Sequence, residues 1–245
     1  MSKVVLFLLS AMPTLCWALV PPYYGKTDAE YRWDAEVELG LAASRGNTRN
    51  DAYNSRVKLG LDTDRTHQEA TFSSNFARDK DTTSVERYRL ELQSDAKLWP
   101  DHYLFIRGNQ LFDRFGTYRS ETSVAGGLGT SLISKRFTSL KFELGPGYRF
   151  LNADEDDGLE DKEEAILRSV LKYERRIHER TRFNASIELE TGRENTIGML
   201  DASFTNQLFG DLALKFGVNY RYTAEVDEDK ANSDTLSSLN LLYTF

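Results

Sequence analysis

Three histidines, two glutamate pairs and one run of carboxylates are the groups in this 245-residue chain whose types and spacing could do chemistry. Histidine titrates near neutral pH and is the side chain most often used as a general base, so His67, His102 and His178 are the first candidates. Each lies close to where one alternating segment gives way to the next, and its value depends on which end of the fold that turn occupies. Glu36 with Glu38, and Glu188 with Glu190, are spaced two apart. On a β-strand that spacing puts both carboxylates on one face, about 7 Å apart. Such a pair could divide acid and base roles, but any strand with a charged face produces it, and neighbouring cations should tie most of these carboxylates into ion pairs. The run from Asp154 to Glu164 invites a calcium reading that its own spacing refuses. With Gly158 set as the glycine of an EF-hand loop, Ala153 falls at the first ligand position and Glu155 at the third. It reads as a solvated acidic loop. No catalytic residue, metal ligand or cofactor is expected.

Composition narrows the class of protein. Net charge is −7, with 38 Asp and Glu against 31 Lys and Arg, which removes the long-range attraction to phosphate that nucleic-acid binders depend on. An aromatic content of 12% argues for a folded chain. At the N-terminus Lys3 precedes the apolar run Val4 to Leu9, and Cys16, Trp17 and Ala18 form a tripeptide whose small outer residues suit signal peptidase. Residues 1–18 are therefore expected to be a cleaved signal peptide. Ser10, Pro13 and Thr14 interrupt the apolar stretch, which falls short of the roughly 20 residues that span a bilayer. Leu15 is larger than the small residue that lipoprotein processing prefers before a cysteine. Cleavage removes Cys16, the only cysteine, and with it disulfides and thiolate chemistry.

Beyond the leader the dominant signal is alternation with a period of two. From Tyr88 to Leu98 every charge falls on one face, as in a half-buried β-strand. The pattern predicts roughly twelve strands, over 33–42, 52–61, 68–77, 87–98, 103–113, 122–133, 140–151, 165–175, 182–191, 198–205, 211–222 and 235–245. In ten of them (103–113 and 198–205 are ambiguous) an apolar face can be written out. Those faces comprise 54 positions without a single charge, where 28% charged residues placed at random would give about 15. The opposite faces carry the charges. Near mid-height these include Glu38, Arg56, Glu91, Arg168, Lys172, Glu188 and Lys215, which are expected to line a lumen as a mixed-sign network.

Alternation alone does not say which face is outside, but three further features favour lipid there. The turns near 62–67, 99–102, 134–139, 176–181 and 206–210 are short, whereas 152–164 and 223–234 are long and acidic, an asymmetry of outer-membrane barrels. Aromatic residues gather at strand ends, with Trp33, Trp99, Phe183, Tyr243 and Phe245 on one rim and Tyr88, Tyr148, Phe150, Tyr220 and Tyr222 among those on the other. The chain stops inside a strand. The expected fold is a single antiparallel up-and-down transmembrane β-barrel over 33–245, entered through a periplasmic lead-in over 19–32. Pro146, between Gly145 and Gly147, suggests a bulge or bend. All three histidines then fall at or near periplasmic turns, away from outer-leaflet lipid and external peptides, which disfavours an outer-membrane hydrolase.

Several short motifs point to a family. Gly46, Asn47 and Thr48 follow the first strand. Asp113, Arg114 and Phe115 lead through Arg119 to Gly126, Gly127, Leu128 and Gly129, and the stretch Glu143 to Arg149 reads ELGPGYR. These resemble a bacterial family named for salt-induced outer-membrane proteins, and the likeness covers nearly the whole chain after the leader. The ending Leu241 to Phe245, with Tyr243 and Phe245, resembles the C-terminal signal that outer-membrane barrels present to their assembly machinery. The resemblance implies an outer-membrane barrel without catalytic residues to carry over. The expected function is a narrow pore for ions or small solutes or an envelope component under salt or osmotic stress. An outer-membrane enzyme, or a structural or surface-binding barrel with a plugged lumen, is the alternative. The expected partners are outer-membrane lipid and lipopolysaccharide, whose phosphates the acidic loops could bridge weakly through Ca²⁺ or Mg²⁺, together with the assembly machinery. A monomer is expected.

Overall fold

The structure is a computed structural model that describes residues 31–44, 50–79, 82–153, 160–226 and 231–245. The expected signal peptide, most of the lead-in, Gly46 to Thr48 and residues 154–159 of the 154–164 acidic run lie outside those residues. The strands are β1 (Arg32–Ser44), β2 (Asn50–Asp62), β3 (Thr66–Asp79), β4 (Thr82–Trp99), β5 (His102–Asp113) and β6 (Ser120–Lys135), followed by β7 (Thr138–Asn152), β8 (Lys162–His178), β9 (Thr181–Gly192), β10 (Thr196–Phe209), β11 (Leu212–Thr223) and β12 (Ser233–Thr244). Each pairs antiparallel with its sequence neighbours. β1 and β12 close the ring, with Val37 opposite Tyr243 and Leu39 opposite Leu241. The backbone N–H of Phe245 adds a bond to the Ala35 carbonyl at 2.9 Å, so the last residue completes the seam. Closure removes the sheet edges whose unpaired N–H and C=O groups lipid could not satisfy.

Polarity is inverted relative to a soluble protein. Leu128 on the outer face is 60% exposed, and Leu39, Phe72, Ile187, Phe216 and Leu241 are exposed with it, whereas Arg168, Glu143 and Arg149 are each 1% exposed inside. A charged interior within an apolar exterior is the arrangement lipid demands. The protein is an outer-membrane β-barrel. Aromatic rings pair at both rims, Tyr148 with Phe150 at 5.1 Å between centroids and Tyr243 with Phe245 at 4.7 Å. The turns at 63–65, 100–101, 136–137, 179–180 and 210–211 mark the short-turn end, the one expected to be periplasmic, and the connections 114–119, 153–161 and 224–232 join strands at the other.

The expected bulge at Pro146 is absent. Ala125 opposite Gly147 and Leu128 opposite Leu144 keep one register across it, and the β6–β7 irregularity falls between Ser131 and Ile133. Glycine explains the difference: a Cβ on Gly145 would lie 2.2 Å from the Gly126 carbonyl oxygen and 2.7 Å from the Gly127 Cα. The two backbones therefore approach closely, and pairing lapses at Gly126 and Gly127 without an inserted residue. The two ambiguous strands also resolve. β5 turns Tyr103, Phe105 and Leu111 inward, and β10 turns Ile197 and Met199 inward, so apolar side chains occupy the lumen face where alternation would place polar ones.

Candidate functional site

The lumen gathers the charged side chains of all twelve strands, and its geometry follows from which of them reach across. Arg168 on β8 joins two neighbours, Glu143 of β7 at 2.9 Å and Glu188 of β9 at 2.8 Å. Glu143 also accepts from Lys172 and Tyr103, each at 3.0 Å. Arg149 on β7 binds Glu164 at 2.5 Å and Glu190 at 3.4 Å. These contacts pack the β7–β9 wall into a buried polar layer, and Phe105 from β5 lies under the Arg168 guanidinium at 5.5 Å. Each charge in this layer has a partner of opposite sign, as a water-poor interior requires.

A second set of side chains crosses the barrel. Arg107 of β5 reaches Glu91 on β4 at 2.6 Å and Glu188 on β9 at 3.1 Å. The Arg221 guanidinium of β11 binds both carboxylate oxygens of Glu121 on β6, at 2.6 and 2.8 Å. From β4 the Arg89 guanidinium meets the Met199 sulfur of β10 at 3.4 Å, and in a closed ring of twelve these two strands stand opposite each other. Arg87, paired with Asp113, extends to Asp234 of β12 at 3.1 Å. Four arginines thus form a screen through the lumen. A cavity of about 160 Å³ opens at the long-connection mouth, expected to be external, beside Arg87, Tyr118 and Arg221, and one of about 310 Å³ at the short-turn mouth, expected to be periplasmic, beside Glu36 and Arg182.

Of the seven residues expected near mid-height, Glu91, Arg168, Lys172 and Glu188 meet in the network around Arg107 and Glu143. Glu38 and Lys215 form a separate pair at 2.5 Å, with Asn240 donating to Glu38 at 3.2 Å. Arg56 stands next to Glu38 across the β1–β2 pairing and acts electrostatically on Glu91, without a close ion pair among the described residues. Of the glutamate pairs, Glu188 and Glu190 are held by Arg107, Arg149 and Arg168, whereas Glu36 makes no ion pair among the described residues. The histidines lie at the short-turn end, as second residue of β3, first of β5 and last of β8. Arg107 and Glu121 escape the alternation reading because β5 has no clear apolar face and β6 starts two residues before its alternation does. A charge between Ile106 and Gly108 is the signal that would have marked Arg107 as inward.

Residues 37–245 match the family described as a protein of unknown function, DUF481. The chain belongs to this family. It is 25% identical over 122 residues to the uncharacterized protein YdiY of Escherichia coli K12, a match spanning 50% of this chain and 48% of YdiY. Among solved structures it is similar to the COG4313 outer membrane channel from Pseudomonas putida F1, at 9% identity and a TM-score of 0.50, over 92% of this chain and 100% of that one. It is also similar to the NanC porin, at 12% identity and a TM-score of 0.49, over 87% and 98%. At these identities the likeness is one of fold.

Proposed function

We propose that this barrel is a narrow outer-membrane pore that passes ions and small polar solutes and excludes disaccharides. The observation that carries the reading is the arginine screen of Arg87, Arg89, Arg107 and Arg221, made of side chains alone. Side chains can change rotamer without unfolding a strand, so the screen narrows the lumen and still leaves a way to widen it. Single-channel recording in planar bilayers should show small, ion-sized steps. Arg107→Ala combined with Arg221→Ala should enlarge them several-fold, and liposomes bearing the wild type should not swell in disaccharide. Swelling in disaccharide would make the protein a general porin. Silence of both the wild type and the double variant would favour a plugged structural barrel, the reading that the buried β7–β9 layer supports.

The salt or osmotic-stress role belongs to the same proposal. The Arg87–Asp234 pair, whose carboxylate is exposed at the mouth, weakens as the Debye length shrinks to about 3 Å at 1 M salt, whereas the buried Arg107 and Arg221 pairs are screened much less. Conductance should then rise more steeply than bulk conductivity. We read the barrel as non-enzymatic; hydrolysis of phospholipid or peptide by the purified protein, lost on changing an external-rim serine or carboxylate, would overturn this. As partners we propose outer-membrane lipid and lipopolysaccharide for a monomeric barrel, and the assembly machinery for the exposed Tyr243 and Phe245.

A further inference from the structure

The periplasmic mouth differs from the rest of the lumen in leaving its charges apart. Arg176 of β8, Arg180 of the following turn and Arg182 of β9 line the cavity of about 310 Å³ there, and so do Glu36 of β1, Glu179 and Asp211. Among the described residues none of the three guanidiniums makes an ion pair, and the three carboxylates make no close one, although Glu36 stands opposite Lys58 in the β1–β2 pairing. Deeper in the barrel opposite charges close on one another, as Arg168 does on Glu143 and Lys215 on Glu38, whereas Arg176, Arg180 and Arg182 at this mouth are exposed and open to a guest. The reason for the separation is the order of strands: the arginines sit on β8 and β9, Glu36 on β1 and Asp211 in the β10–β11 turn. Between them the wall is formed by Ala213 and Leu242, both 7% exposed, flanked by the hydroxyls of Thr205 and Thr244. The cavity therefore has a wall of three arginines, with Glu179 beside Arg180 in the β8–β9 turn, an apolar and hydroxylic floor, and Glu36 and Asp211 on the other strands. Its volume lies at the lower end of the roughly 300–1,000 Å³ typical of small-molecule sites.

We propose that this mouth is a binding site for a small zwitterion of the size of a free amino acid or dipeptide. The guest's carboxylate would lie against Arg176, Arg180 and Arg182 and its ammonium against Glu36 and Asp211. A guest bearing both charges satisfies both walls at once, which neither a simple anion nor a simple cation can do. The site does not require the lumen to conduct, so binding to the refolded, detergent-solubilised barrel tests it apart from the pore.

The probes are dialanine, its N-acetyl form and its C-terminal amide, measured by calorimetry or ligand-observed magnetic resonance. Dialanine should bind at least tenfold more tightly than either blocked form. Arg182→Ala should weaken dialanine and the N-acetyl form, whereas Glu36→Gln should weaken dialanine and the amide but spare the N-acetyl form. Both variants should keep the heat-modifiable gel mobility of a folded barrel. Equal or tighter binding of the N-acetyl form would show a plain anion site and overturn the proposal, as would absence of binding by dialanine to the folded wild type. Loss of binding in Glu36→Gln for all three probes alike would also count against it.

Discussion

Glu143 shows how the lumen keeps charge buried. Its carboxylate accepts from Arg168 at 2.9 Å and from Gln93, Tyr103 and Lys172 at 3.0 Å, and the residue is 1% exposed. Gly129 makes one of these bonds possible, since a Cβ there would come within 2.2 Å of the Tyr103 ring. Breaking a buried pair by removing one partner costs more than replacing both, because it strands the other charge. Glu143→Gln should therefore lower stability by ~3 kcal/mol, read from the urea midpoint of the barrel refolded into vesicles. Glu143→Leu combined with Arg168→Met should lose less than the single variant does. At this scale alternation identifies the inward face of Glu143 and Arg168, but not that they touch: they are diagonal neighbours on β7 and β8, and that depends on the pairing register, which neither strand encodes by itself.

Strands divide their two faces between lipid and lumen, and the elements can be tested on that division. Leu92 faces outward on β4, so Leu92→Arg puts a cation in the hydrocarbon band and should cost ~2–4 kcal/mol. Lys141, inward on β7 and exposed, makes no ion pair among the described residues, and Lys141→Glu should fold into liposomes as the wild type does. Glu91 would be a poor control, because its ion pair with Arg107 makes it part of the screen. The close approach of β6 and β7 offers a second test. Gly145→Ala forces a methyl onto the Gly126 carbonyl, and overpacking of this kind costs ~1–3 kcal/mol, measurable in the same unfolding assay. Strand existence was legible throughout because lipid enforces a strict outer face. The faces of β5 and β10 were not, because Tyr103, Phe105, Ile197 and Met199 serve the wall-to-wall packing of a narrow lumen and so imitate a lipid face.

For the molecule as a whole, orientation follows from the unequal ends. Ser233 begins β12 at the long-connection end and Asp101 lies in a two-residue turn at the other. A cysteine at Ser233, in a chain whose one native cysteine, Cys16, falls within the expected leader, should react with a membrane-impermeant maleimide on intact cells. One at Asp101 should react only after the outer membrane is breached. The opposite result would invert the barrel and move the zwitterion cavity to the cell exterior.

By itself the sequence pointed to the architecture, roughly twelve antiparallel strands each with one apolar and one charged face, and its connection lengths and rim aromatics favoured the apolar face outside. It could do so because each strand meets lipid independently, and a two-residue period records that contact locally. The tertiary structure alone decided what the interior does. Closing the ring set β4 opposite β10 and brought β11 within reach of β6, so that Arg89 meets Met199 and Arg221 meets Glu121. It also held Glu36 apart from Arg182 across one cavity. Whether two inward charges neutralise each other or face each other across open space is a property of the closed barrel's cross-section, which no single strand contains.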